Sequence, residues 1–331
     1  MAASRSVDIS YVPADCGSVL PGKSKAPQAF QDVGIVDELR KSGIPSVSEH
    51  HALDSPATFK ATTFSPGHVR NEDVNVSVCQ RVHRTIAQNL SASSSAQPPF
   101  QLILGGECGM SPAILSAFWQ HAGSQSPPAR VGLVYIDADT DFASPTDPNS
   151  TGIFAGMNMT HLTGSSGALQ SMKQFSRPSG EPVCDSSNTV LFGTNMSFPG
   201  NKPEHFAYFF DNDYKVFSSA SVAREPEKRA ADALRYLEDR VDVIMVHLDV
   251  DSIDPRMFPL AHLPNFTGVE FEEMMRALKV FLGSEKVGGL TIAEVNPDHD
   301  PGLEMVRRLT GQVVEMLAAR SGKVEGSQGL Q

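Results

Sequence analysis

Val241–Pro255 reads VDVIMVHLDVDSIDP, a short apolar run that ends abruptly in a cluster of acids. An apolar run of the length of Val241–Leu248, closed by Asp, is the pattern of a strand buried on both faces. Similar runs occur at Gln101–Leu104 (QLIL), Val131–Ile136 (VGLVYI), Thr189–Phe192 (TVLF) and Gly289–Val295 (GLTIAEV). Around them, Val74–Leu90, Pro112–His121, Glu225–Asp239, Phe271–Phe281 and Glu304–Ala319 carry apolar residues at helical spacing. Strands alternating with helices predict an α/β fold with a mainly parallel sheet covered on both faces. In such sheets ligands bind beyond the carboxyl ends of the strands. Polar residues at strand ends are therefore the candidates for chemistry.

Two more runs end in polar clusters. QLIL is followed by Gly105-Gly106-Glu107-Cys108, and VGLVYI by Asp137-Ala138-Asp139-Thr140-Asp141. Alternate residues of a strand share a face, so Asp137, Asp139 and Asp141 converge if the strand continues through them. The same spacing relates Asp249 and Asp251. Five carboxylates crowded together repel and raise one another's pKa values unless cations neutralise them. A two-cation site bridged by shared Asp ligands resolves that repulsion and supplies an activated water. A single DxD is equally a helix cap or a closed turn. Two such clusters joined by GGEC after a third strand are harder to explain that way.

The wider composition narrows the classes. The chain has 331 residues, 40% hydrophobic and 20% charged, an ordinary globular make-up that excludes wholesale disorder. Its formal net charge of −11 argues against broad nucleic-acid or anionic-membrane binding. Cys16, Cys79, Cys108 and Cys184 are widely spaced with no CxxC pair, which suits free thiols in a reducing compartment. No uncharged apolar run reaches the roughly 18–20 residues of a membrane span. The opening MAASRSVDISYVPADCG also lacks the apolar core of a secretory signal, so a cytoplasmic location is expected. No repeat or linker divides the chain, which reads as a single domain over 1–331. Polar loops are expected at Ser91–Pro99, Gly123–Pro128 and Asp185–Asn188, with a frayed tail over 320–331.

The ordered motifs GGEC, DADTD, HLDVDSIDP and EVNP resemble those of the ureohydrolase family, which includes arginase, agmatinase and formimidoylglutamase. The family's motifs read GGDH or GGxH, DAHxD, DVDxxDP and EVNP. The segment Val12–Phe30 (VPADCGSVLPGKSKAPQAF) is similar to its early VPxDxG…GAPxAL stretch, and Leu260–Val269 matches more loosely. The resemblance runs from Asp8 to about Leu317 and implies a three-layer α/β/α fold with a mainly parallel sheet of about eight strands. It also implies two Mn(II) ions bridged by a hydroxide that attacks a guanidino or amidino carbon, and a trimeric or hexameric assembly. Carried over by position, Cys108, Asp137, Asp141 and Asp249 hold one metal, and Asp137, Asp139, Asp249 and Asp251 the other. Glu294 of EVNP falls at the guanidinium-binding position.

Departures from the family pattern redirect the function. Cys108 and Asp139 stand where the family has His. A thiolate is softer than imidazole, which brings Zn or Fe into consideration beside Mn. In place of the SGNxHG loop stands Thr151–Gly156 (TGIFAG), with Ala155 at the proton-shuttle position and Ile153 at an Asn position. Phe198 lies where an acidic partner for a substrate ammonium is usual. The pocket is expected to be more apolar than that of arginase, and free arginine a poor substrate. Of the histidines near motifs, His247 is read as a packing residue or support for the ligands. His161 is a replacement shuttle only if its helix faces the site, His299 is placed at the entrance, and His205 and His262 are given no role. The expected activity is dimetal hydrolysis of a C–N bond in a guanidino, N-hydroxyguanidino or amidino small molecule. The alternatives are a silent binding or regulatory family member, and a metallohydrolase of an amide or imine.

Overall fold

A computed structural model describes residues 6–61, 69–92 and 98–326, with side-chain surroundings to residue 320. Its centre is a sheet of strands β1 (Ser6–Tyr11), β2 (Ser46–His51), β3 (Phe100–Leu104), β4 (Val131–Ile136), β5 (Thr189–Thr194), β6 (Lys215–Ser218), β7 (Val243–Asp249) and β8 (Val287–Ala293). The strand order is β2-β1-β3-β8-β7-β4-β5-β6, and every neighbouring pair is parallel. The last two strands in sequence thus enter at the centre. That order lays the ends of β3, β8, β7 and β4 side by side, so GGEC, EVNP, LDVD and DADTD become neighbours. Tyr135 is level with His247, and Ala293 with Asp249, so these ends also lie at one height.

Alternation along the strands feeds two cores. Val134, Ile136, Val246, Leu248, Leu290 and Ile292 pack with the layer containing helices Pro226–Glu238 and Phe271–Leu282. Leu133, Tyr135 and Met245 face the opposite layer, with Glu72–Ala92 and Ser111–Gly123. Burial on both faces is why these strands are apolar throughout. No helix among the described residues is long and apolar enough to cross a membrane.

Several boundaries differ from expectation. The strand expected at Gly289–Val295 ends at Ala293, because Glu294 adopts φ +63° and turns the chain aside. Pro226, which has no N–H to continue a helix, begins a new one, so the helical stretch is Pro226–Glu238, preceded by a separate Ser219–Arg224. The final helix runs from Glu304 to Gly326, past Ala319. Ser91 and Ala92 still belong to Glu72–Ala92, whereas residues 93–97 of the expected Ser91–Pro99 loop, and 327–331 of the tail, lie outside the described residues.

Gly105 closes β3 at φ +90°, where an added Cβ would lie 2.6 Å from Pro27 Cδ. Gly105→Ala is expected to destabilise the fold by about 2 kcal/mol or more. Gly311, in an open helical position, meets nothing within 4 Å, and Gly311→Ala should stabilise by about 0.5–1 kcal/mol. Denaturant midpoints of the two variants check this; an unchanged midpoint for Gly105→Ala would contradict the packing described.

Candidate metal centre

Asp137 follows the last residue of β4, and Asp249 is the last residue of β7. In both clusters the chain turns immediately after this acid. Asp139 N–H donates to Asp137 Oδ1 at 2.7 Å, and Asp251 N–H donates to Asp249 Oδ1 at 2.7 Å. Thr140 and Asp141 N–H groups donate to Asp139 Oδ1 at 2.6 and 3.3 Å, with Asp141 at φ +45°. Ala138 N–H reaches Asp251 Oδ1 at 3.3 Å and ties the two turns together. The acids therefore converge through consecutive side-chain-capped turns, not through continued strands. Asp residues favour such turns because their carboxylates accept from N–H groups two positions on.

Cys108 lies one residue beyond a glycine pair, Gly105-Gly106, at φ +90° and +78°, the turn that carries the chain out of β3. Its thiol lies 2.8 Å from Asp249 Oδ2, 4.0 Å from Asp137 Oδ2 and 3.1 Å from His247 Nε2. The ligand-capable atoms of Cys108, Asp137, His247 and Asp249 all lie within 4.8 Å of one another, and all four residues are buried. Asp139, Asp141 and Asp251 stand around this group, and Asp141 Oδ2 accepts the Tyr135 hydroxyl at 2.6 Å. His247 exceeds its expected packing role. It does stack on Tyr135 at 4.8 Å and sets Nδ1 3.2 Å from Ser111 Oγ, but its Nε2 faces the sulfur. Burial lowers its pKa to about 3, so it is a neutral imidazole of the kind metals bind.

The electrostatics of the acids run the other way. Burial, then Asp141 and Asp251, raise Asp137; burial, then Asp139, raise Asp141; and burial, then Asp251, raise Asp249. Burial, then the charge of Asp139, push Asp251 up to about 7. Burial alone raises Asp139, and burial followed by Asp249 raises the Cys108 thiol. Desolvated like charges of this kind, with sulfur and imidazole donors among them, match the chemistry of a divalent-cation site. The donor set fits the metal pair that the motifs imply.

Glu294 lies at the floor of the same cleft. Its Oε1 accepts the Cys108 N–H at 3.3 Å, and its Oε2 lies 3.2 Å from the ammonium of Lys23, which also contacts Glu107 Oε1 at 3.0 Å. Lys23 stands out in no sequence pattern, since a lone lysine in a loop reads as solvated, and Glu107 shows there only as a member of GGEC. The cleft has a volume of about 460 Å³, and Ile153, Ala155 and Phe198 line it, with Val19, Leu20 and Leu263. Lys202 lines it too, held by Asp147 at 2.9 Å. His205 and His262 border the cleft, whereas His299 sits behind His262 with its ring centroid 4.8 Å away. His161 is buried against Phe154 at 5.2 Å and does not border the cleft, so it is not placed to replace the missing shuttle.

These shifts have a pH consequence. An acid whose folded pKa is raised keeps a proton that the unfolded chain has lost, so its contribution to stability is full below the unfolded pKa and is lost as pH rises through the folded value. For Asp251 that window runs from the ordinary 3.8 up to about 7. Chelator-treated protein should therefore unfold at lower denaturant at pH 8 than at pH 5, with the difference shrinking on addition of Mn(II). Equal or greater metal-free stability at pH 8 would contradict the burial of these acids.

The arginase family model matches residues 5–319. Arginase of Staphylococcus aureus (strain MRSA252) is 24% identical over 304 residues, covering 91% of this chain and 93% of that protein. The structure of arginase from Bacillus caldovelox superposes with a TM-score of 0.79 at 20% identity, over 96% of this chain and 98% of that one. The proclavaminate amidino hydrolase of Streptomyces clavuligerus superposes with a TM-score of 0.66 at 18% identity, over 96% and 92%. The structural likenesses agree with the parallel eight-stranded sheet, and the family match spans all four strand-end motifs. This chain belongs to the arginase family.

Proposed function

We propose that the chain is a dinuclear metal-dependent hydrolase that cleaves a C–N bond in a guanidino, N-hydroxyguanidino or amidino compound other than free arginine. The observation that carries this is the gathering of Cys108, Asp137, His247 and Asp249 donor atoms within 4.8 Å, with Cys108 and Asp249 lining a cleft that Ile153, Ala155 and Phe198 also line. Cys108, Asp137, Asp141 and Asp249 would hold one cation, and Asp137, Asp139, Asp249 and Asp251 the other, with Mn(II) favoured by the oxygen donors and Zn(II) or Fe(II) by the sulfur. When bound, such cations polarise the carbon under attack and lower the pKa of an attacking water.

The chain's own groups supply the rest. Asp137 and Asp249, with ligand-capable atoms within 4.8 Å of each other, would be the carboxylates that both cations share. Asp141 Oδ2 accepts the Tyr135 hydroxyl, which would hold the carboxylate in one orientation at the cation site, where it would accept a proton from the attacking water. Ile153, Ala155 and Phe198 exclude water and receive an apolar substituent. At Ile153, Ala155 and Phe198 the ammonium and carboxylate of arginine would meet apolar surface, and the charged groups Lys202 and Asp147 are already paired with each other. Stripping such charges of water without pairing them costs on the order of several kcal/mol.

Turnover of a panel of guanidino, N-hydroxyguanidino and amidino compounds, with Mn, Zn and Fe added separately, tests the proposal. At least one compound with a small apolar substituent should turn over, and arginine should not. Asp137→Ala and Asp249→Ala should each lose most bound metal and all turnover. Full metal content in either variant, or efficient turnover of arginine, would sink the assignment, and no turnover of any compound would favour a silent binding protein.

A further inference from the structure

Glu294 stands where the family motif places the carboxylate that receives a substrate cation, yet here both of its oxygens are engaged. One accepts the Cys108 N–H at 3.3 Å, and the other lies 3.2 Å from Lys23 Nζ. A planar guanidinium is held best by two parallel bonds to one free carboxylate. The ammonium is also anchored 3.0 Å from Glu107 Oε1, and Glu107 Oε2 in turn accepts the Gly17 N–H. Lys23 is 1% exposed, although it borders the cleft beside Cys108 and Glu294.

The loop that delivers this lysine is fixed from behind. Asp15 Oδ2 accepts the Gly22 N–H at 2.9 Å and the Ser24 hydroxyl at 2.7 Å. Gly22 adopts φ +119°, and an added Cβ there would fall 2.2 Å from Asn296 Oδ1, so the loop is seated directly on the EVNP segment. The lysine is held in place by its backbone as well as by its charge.

We propose that Lys23 is a specificity-determining residue whose ammonium takes the place on Glu294 that an alkylguanidinium would take. The reacting group then enters uncharged: among amidine-type compounds, the site takes those whose nitrogen carries an electron-withdrawing substituent that weakens its basicity, and it disfavours simple guanidinium cations. A second cation at Glu294 would meet the Lys23 charge in a desolvated space, where like charges repel strongly. This rests on the hydrolase reading for its substrate class, but the charge preference is a binding property and can be measured without turnover.

The probes are butylguanidinium and butylurea, which share shape and alkyl chain and differ in charge. Calorimetric titration of the natural protein, as purified and after loading with Mn(II), should show butylurea binding at least as tightly as butylguanidinium. Lys23→Met frees Glu294 and should tighten butylguanidinium by about tenfold or more, with no gain for butylurea. Lys23→Met with Glu107→Gln removes one charge of each sign and serves if the single variant folds poorly. Preference for butylguanidinium in the natural protein, or no gain in a folded variant, overturns the proposal. Failure to find any hydrolysed compound would instead overturn the hydrolase reading and leave this preference standing.

Discussion

Carboxylates sharing a dry space repel one another, and the centre of this fold concentrates them where four neighbouring strands end. Asp137, Asp139, Asp141, Asp249 and Asp251 are each pushed toward the protonated state by burial, and all but Asp139 also by their neighbours. Backbone N–H donors satisfy one oxygen of several of them, which removes part of the desolvation cost but none of the net charge. Cys108 packs against Asp249, and the neutral imidazole of His247 against the Cys108 sulfur. Such an arrangement makes physical sense when cations complete it.

The sheet supplies the geometry that the acids need. Because β7 and β8 are inserted between β3 and β4, motifs separated by more than a hundred residues meet at one height. Helix Ser111–Gly123 begins just after Cys108 and brings Ser111 to the far nitrogen of His247, so the ring that faces the sulfur is oriented from behind. The cleft above the acids is lined by Ile153, Ala155 and Phe198, with Asn149, Thr151 and the Asp147–Lys202 pair among its polar residues.

The parts of this molecule that show in its sequence are those under a single physical demand. Strands β3, β4, β5, β7 and β8 are buried on both faces and read as apolar runs. Strand β1 is equally interior, but Asp8 and Ser10 join a buried polar group with Asn89 and Gln101, which breaks the pattern. Edge strands β2 and β6 are half-exposed and carry no continuous run. The acids themselves were legible from their spacing, yet the way they converge was not, since strand alternation and side-chain-capped turns share the same two-residue period. Lys23 left no trace in local sequence, because its burial depends on Glu107 and Glu294, both far along the chain. His247 could be assigned to the correct face by alternation, but its contact with Cys108 depends on the glycine turn that follows β3.

The requirement for cations at the strand ends is tested most directly by elemental analysis of the protein after Mn(II) loading and removal of free metal. Close to two equivalents per chain is the expected result. A chain that retains none, while folded and with its acids intact, would contradict it.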